Sequence, residues 1–182
     1  MNGFSRQANT CATANEIEPL TAHMAEPQSL AEATLRDLRA FFASNGHRPS
    51  DEHWTALRAI ANTMQAMADG TCETKVHLSA CDPGVGKSQT CVRFAEALVA
   101  DAAYQDVGMI VSAFTIAEVA ALATALHAVR ESLCVLTSDP DTNALGGADG
   151  AQAQVLITTQ SRLGRLTQES AFRIRDRVSL PR

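Results

Sequence analysis

The segment Cys81-Asp82-Pro83-Gly84-Val85-Gly86-Lys87-Ser88 restricts the possible folds of this chain more than any other stretch. It follows a short apolar run over residues 76–80 and precedes a segment with helical periodicity. The glycines let backbone N–H groups converge, Lys87 adds a cation, and Ser88 adds a hydroxyl at a helix N-terminus. A strand, a glycine-containing turn and a helix in this order predict a loop that holds phosphate groups.

The phosphate prediction assigns a role to each part of this loop. Lys87 would reach the outer phosphates of a nucleoside triphosphate and Ser88 would ligate a metal ion, so the predicted ligands are ATP and Mg²⁺. The motif departs from its full pattern at the first position, where Cys81 stands instead of glycine. The residues predicted to contact the cofactor are Asp82, Pro83, Gly84, Val85, Gly86, Lys87, Ser88 and Gln89.

The composition favours one α/β domain. The chain has 182 residues, of which 46% are apolar and only 4% aromatic, so small aliphatic side chains must fill its core. Its five cysteines form no CxxC pair, as expected of reduced thiols. No apolar run approaches the roughly 18 residues of a membrane span, and no signal core follows Arg6. We therefore expect a cytoplasmic protein without a membrane partner.

The chain divides into four predicted parts. Residues 1–27 lack periodicity and predict a flexible tail. Residues 28–70 predict two helices, the first opened by a capping box of Ser29 and Glu32, the second capped by Ser50. Residues 71–166 form the predicted core, and residues 167–182 a basic segment.

Short apolar strands alternate with helices in the core, and this alternation predicts a parallel sheet with crossover helices. The predicted helices cover 87–103 and 115–129, the latter opened by a capping box of Thr115 and Glu118. A loop is expected over residues 139–150. The predicted strands are 75–80, 107–112, 133–137 and 154–158.

Hydrolysis of ATP requires an acidic residue at the tip of an apolar strand, and the sequence offers no clear one. The strand that begins at Leu133 comes nearest, but Thr137 and Ser138 precede Asp139. Asp139 and Asp141 flank a proline and are interpreted as turn formers rather than metal ligands. We therefore predict ATP binding without an identified acid that activates water, and no catalytic residue is assigned.

Positive charge is concentrated at one end of the sequence. Residues 160–182 contain six arginines and two acidic residues, which gives this end a charge of +4. Since the net charge of the chain is −5, residues 1–159 carry −9. Within this end, Phe172, Ile174 and Val178 alternate with Arg173, Arg175 and Arg177, which would place three guanidiniums on one face of a strand. Such a row could follow a phosphate backbone or form a solvated strand face.

Three segments together resemble the first motor domain of superfamily 1 and 2 helicases, which has the RecA-like P-loop NTPase fold. They are the loop Cys81–Ser88, the strand and helix start Met109–Thr115, and the segment Val155–Leu163. The resemblance covers roughly residues 50–166. It implies an incomplete α/β parallel sheet of this type, preceded by two helices. It also implies contacts to a nucleic-acid backbone from Ser112, Thr115, Thr158, Thr159 and Arg162.

In that family an Asp-Glu strand and a second motor domain follow, and the sequence reaches Arg182 before either. The resemblance therefore implies an ATP-Mg-binding part of a nucleic-acid-dependent ATPase or helicase that is not active alone. DNA is expected rather than RNA, with a second motor domain or partner protein. Two alternatives remain: a small P-loop phosphotransferase (kinase), and a non-catalytic interaction module. An active chain would be an ATP hydrolase.

Overall fold

The computed structural model describes the backbone of residues 29–168 and the side chains of residues 29–165. The tail predicted at residues 1–27 lies outside the described residues. The basic segment predicted at 167–182 also lies outside them, apart from the backbone of its first two residues. None of the helices within residues 29–168 combines the length and the apolar character that crossing a membrane requires.

Two helices precede the loop, α1 (Leu30–Ser44) and α2 (Asp51–Ala68). Both begin where their caps predict. The Ser29 hydroxyl accepts the Glu32 N–H, and the Glu32 carboxylate accepts the Ser29 N–H. The two helices bury a shared apolar cluster that includes Leu38, Phe42 and Leu57. The sequence prediction of two helices ahead of the loop is therefore confirmed.

The sheet has three parallel strands, β1 (Met109–Ala113), β2 (Leu133–Leu136) and β3 (Val155–Thr159). Their spatial order is β1-β3-β2, so β3 lies in the centre and pairs with both neighbours. Each strand overlaps its predicted range to within two residues. The described part of the chain is thus a mixed α/β structure with a small parallel sheet, and the coarse fold prediction is confirmed.

Four more helices complete the described fold: α3 (Lys87–Ala100), α4 (Ile116–Ala125), α5 (Pro140–Asn143) and α6 (Gln160–Gln168). Helix α3 packs against α1 and α2, and α4 crosses the sheet. The main core lies between α3, α4 and the strands, where Val92, Val119 and Ile157 are almost fully buried. Strands β2 and β3 are buried along almost their whole length. Strands of a parallel sheet covered by helices have continuous apolar sequences, which is the pattern of these two strands.

The predicted strand at residues 75–80 is wrong. This segment is irregular, and its Val76 and Leu78 are 84% and 90% exposed. An apolar run becomes a strand only where a neighbouring strand satisfies its backbone groups, and no strand within the described residues pairs with it.

Two predicted helices end early, and the predicted loop contains a helix. Helix α3 ends at Ala100 rather than 103, before a 3₁₀ turn at residues 102–104, and α4 ends at Ala125, before a 3₁₀ segment over residues 127–132. The loop expected over 139–150 includes α5, because the Asp139 side chain caps the turn and a proline occupies its first position.

Candidate functional site

The loop before α3 has the backbone geometry that its glycines allow. Gly84 has φ +85° and Gly86 has φ +93°, both in the left-handed region that favours glycine. Gly86 is the N-cap of α3 and offers no side chain to the first helical turn. The N–H groups of Lys87, Ser88 and Gln89 therefore have no capping side chain, and a helix N-terminus in this state attracts anions.

The Lys87 side chain folds back over the loop. Its Nζ donates to the carbonyl oxygens of Cys81 at 2.6 Å and of Asp82 at 2.9 Å. The ammonium group is thus held at the start of the loop whose end carries the uncapped N–H groups of α3. Cation and amide donors lie within one short segment, which is the chemistry that a phosphate group requires.

Helices α1 and α2 each contact the loop before α3. A Cβ atom placed on Gly86 would lie 2.7 Å from Cζ of Phe42, so the ring packs directly against the glycine backbone. His53 Nε2 lies 3.0 Å from the Val85 carbonyl oxygen, and the ring nitrogen donates because a carbonyl can only accept. The two helices therefore fix the position of the loop relative to α3.

A cavity of about 510 Å³ opens beside the loop, between the start of α3 and the carboxyl end of β1. The hydroxyls of Ser88 and Ser112 lie in its lining and form no hydrogen bond with the described residues. The side-chain oxygen of Gln89, also in the lining, is buried without a partner there. Buried polar atoms without partners mark places where water or a ligand completes the hydrogen bonds.

Glu118 is the one carboxylate among the described residues that line this cavity. Its Oε2 accepts the backbone N–H groups of Phe114 and Thr115, each at 3.0 Å. The bonds from Thr115 and then Phe114 lower the pKa of this carboxyl below its usual value. Glu118 therefore caps α4, as its capping box predicts, and is committed to that contact. No group of three His, Cys, Asp or Glu side chains within the described ranges could hold a metal ion.

The other acidic candidate lies at the carboxyl end of β2. Asp139 Oδ2 accepts the Thr142 N–H at 3.1 Å and the Thr142 hydroxyl at 2.5 Å. These bonds, the hydroxyl first, lower the pKa of the Asp139 carboxyl. Asn143 accepts both the N–H and the hydroxyl of Thr137. Asp139 is thus a helix cap within a closed set of hydrogen bonds, in agreement with its interpretation as a turn former.

The residues that the helicase resemblance singles out come together at the carboxyl edge of the sheet. Ser112 of β1 is the register partner of Thr158 in β3, and the ends of the two strands lead into α4 and α6. The structure therefore brings these residues to the same edge as the start of α3.

These residues differ in whether their side chains already form hydrogen bonds within the fold. Thr158 is fully buried and donates to the Leu136 carbonyl at 2.6 Å. Thr115 caps α4, and the Thr159 hydroxyl accepts the Arg162 N–H at 3.3 Å. Arg162 itself is half-buried, and its Nε finds no partner among the described residues.

Sequence analysis missed the residues that position the loop. Phe42 and His53 are 44 and 32 residues from their contacts at Gly86 and Val85, and local periodicity carries no signal for such distant pairs.

Comparison of the sequence with protein-family models and curated proteins, and of the structure with solved structures, finds no match. The interpretation of this site therefore depends on its own geometry.

Proposed function

We propose that this chain binds ATP together with Mg²⁺ at the loop formed by residues 82–89. One observation carries the proposal: α3 begins, without a capping side chain, directly after two left-handed glycines, and the Lys87 ammonium lies across the same loop. A helix N-terminus and a fixed cation together favour a multiply charged anion over a neutral ligand. The adjoining cavity of about 510 Å³ is within the usual range for a small-molecule site.

Each group has one role in this proposal. The loop and first-turn amides and Lys87 hold the phosphate oxygens, and the Ser88 hydroxyl is a metal ligand. Bound Mg²⁺ would neutralise charge on the outer phosphates. To reach them, Lys87 must release the carbonyls of Cys81 and Asp82. In the structure these two carbonyls hold the ammonium at the start of the loop.

The finer proposal is that the chain is the RecA-like part of a cytoplasmic, helicase-type ATPase that needs a second motor domain or partner protein. It is supported by the positions of the start of α3, Ser112 and the start of α6, which lie around the same cavity at one edge of the sheet. Ser112 and Arg162 are the groups most available to a nucleic-acid backbone, since the other three hydroxyls are engaged within the fold. Because Glu118 is committed as a helix cap, we expect little hydrolysis by this chain alone.

The test compares two lysine variants, and the chain offers a matched pair because Lys75 and Lys87 are its only lysines. Lys75 is exposed and paired with Glu73, outside the loop. A fluorescent ATP analogue is titrated with Mg²⁺ into the wild type and both alanine variants. We expect Lys87→Ala to weaken binding at least about tenfold, the value of a charge-assisted hydrogen bond, and Lys75→Ala to change it less than about twofold.

Equal affinities in the two variants, or no binding by the wild type, would overturn the proposal and favour a non-catalytic interaction module. Phosphate release measured on the same samples separates binding from hydrolysis. Phosphorylation of an added small acceptor would favour the phosphotransferase instead.

A further inference from the structure

The outer edge of β1 is unpaired among the described residues. Met109 N–H donates to the Gln154 carbonyl, next to β3, at 2.8 Å. Since alternate residues of a strand point their backbone groups to the same side, Val111 and Ala113 also face β3, whereas Ile110 and Ser112 face away. Their outward N–H and C=O groups form a free strand edge, and free edges accept further strands.

An apolar groove of about 420 Å³ runs along this edge. Its lining includes Met64 and Met67 of α2 and Phe94 and Leu98 of α3. On the opposite face of β1, Ile110 is 39% exposed. A strand laid against β1 would therefore need apolar side chains towards the helices and could carry polar ones on the other face.

The chain after β3 leads to this edge. Helix α6 follows β3, the central strand, and contacts both β3 and β1. A strand that follows a crossover helix joins the sheet parallel to the others, beside a strand with a free edge. Three residues separate Gln168 from Phe172, which is within the usual length of such a connection.

The sequence that follows has the required pattern. Phe172 and Ile174 alternate with Arg173 and Arg175, and β1 is five residues long, so a segment of this length suffices. We propose that residues 171–175 add to the outer edge of β1 as a fourth parallel strand, with Phe172 and Ile174 in the groove. Asp176, which would face the same side, lies beyond the five paired residues. The arginines then lie on the face of the sheet that exposes Ile110.

Amide hydrogen exchange in the full chain tests this proposal. In the wild type, the Ile110 and Ser112 amides should exchange as slowly as those of Val111 and Ala113, which bond to β3. Phe172→Ser combined with Ile174→Ser should speed exchange of the Ile110 and Ser112 amides at least about tenfold and leave those of Val111 and Ala113 slow. The matched control, Arg173→Ser with Arg175→Ser, changes the other face and should retain protection.

Two results would overturn the proposal: fast exchange of the Ile110 and Ser112 amides in the wild type, or equal protection in both double variants. Protection that disappears on dilution would assign the edge to a second copy of the chain instead. The wild type also gives a test that is independent of the variants. Parallel pairing requires nuclear Overhauser effects between the Ser112 amide proton and an α-proton within residues 171–175, and their absence contradicts the pairing.

Discussion

The carboxyl ends of β1 and β2 lie on the same edge of one sheet but differ in how their polar groups are used. At the end of β2, Thr137, Asp139, Thr142 and Asn143 bond to one another. At the end of β1, Ser88 and Ser112 have no hydrogen-bond partner among the described residues, and the first turn of α3 lacks a capping side chain. The groups at the end of β2 satisfy one another, whereas those at the end of β1 are left to solvent or to a ligand.

This difference shows why an acidic residue alone does not mark a metal site. Asp139 follows an apolar strand and is surrounded by polar groups, yet its carboxylate is consumed in capping α5. The cavity at the end of β1 has a cation, Lys87, beside hydroxyl and backbone donors without partners among the described residues. We therefore base the proposed ligand site on unused hydrogen-bonding groups together with this cation.

The largest expected effect comes from a substitution in the loop before α3, beside the carboxyl end of β1. Gly86→Ala adds a Cβ atom 2.7 Å from Phe42 Cζ at φ +93°, so both strain and overlap oppose it. We expect a loss of about 3 kcal/mol in the free energy of unfolding, and weaker ATP binding. Gly84→Ala is the matched control because its φ is +85° with no atom within 4 Å, and it should lose about 1 kcal/mol. Equal losses in urea denaturation would show that Phe42 does not constrain the loop.

A smaller effect is expected from removing the proposed metal ligand. Ser88→Ala should weaken binding of ATP about tenfold when Mg²⁺ is present and leave metal-free ATP binding unchanged, because only the metal contact is lost. Titrations with Mg²⁺ and with excess chelator measure this difference. Ser112→Ala, on the same cavity, is the control. A loss that is independent of Mg²⁺ would assign Ser88 to the phosphates instead.

The smallest effect is expected from a substitution at the carboxyl end of β2. Asp139→Asn should lower stability by less than Gly84→Ala does and leave ATP affinity unchanged. Since the folded state lowers the pKa of the Asp139 carboxyl, its ionised cap stabilises the fold above the unfolded pKa, about 4. That contribution is lost as the pH falls through the lower folded-state pKa. Denaturation of both proteins from pH 7 to pH 2 should give curves that converge at the acid end. A change in ATP affinity would mean that the two ends are coupled.

Local sequence signals predicted the parts of the fold whose interactions are local. The capping boxes at Ser29 and Thr115 join residues three positions apart, so the starts of α1 and α4 could be read directly. The strand expected at 75–80 failed because a strand depends on a neighbour that the pattern does not specify. The supports of the loop, Phe42 and His53, act across more than 30 residues and left no local trace.

The central claim is that the loop before α3, at the carboxyl end of β1, binds ATP with Mg²⁺ and that the carboxyl end of β2 does not. The most direct measurement is a titration of the isotope-labelled full chain with ATP and Mg²⁺, followed by amide chemical shifts. We predict saturable shifts at Gly84, Gly86 and Ser88, and none at Thr142 or Asn143. Unchanged amides throughout the loop, or equal shifts at both ends, would contradict the account.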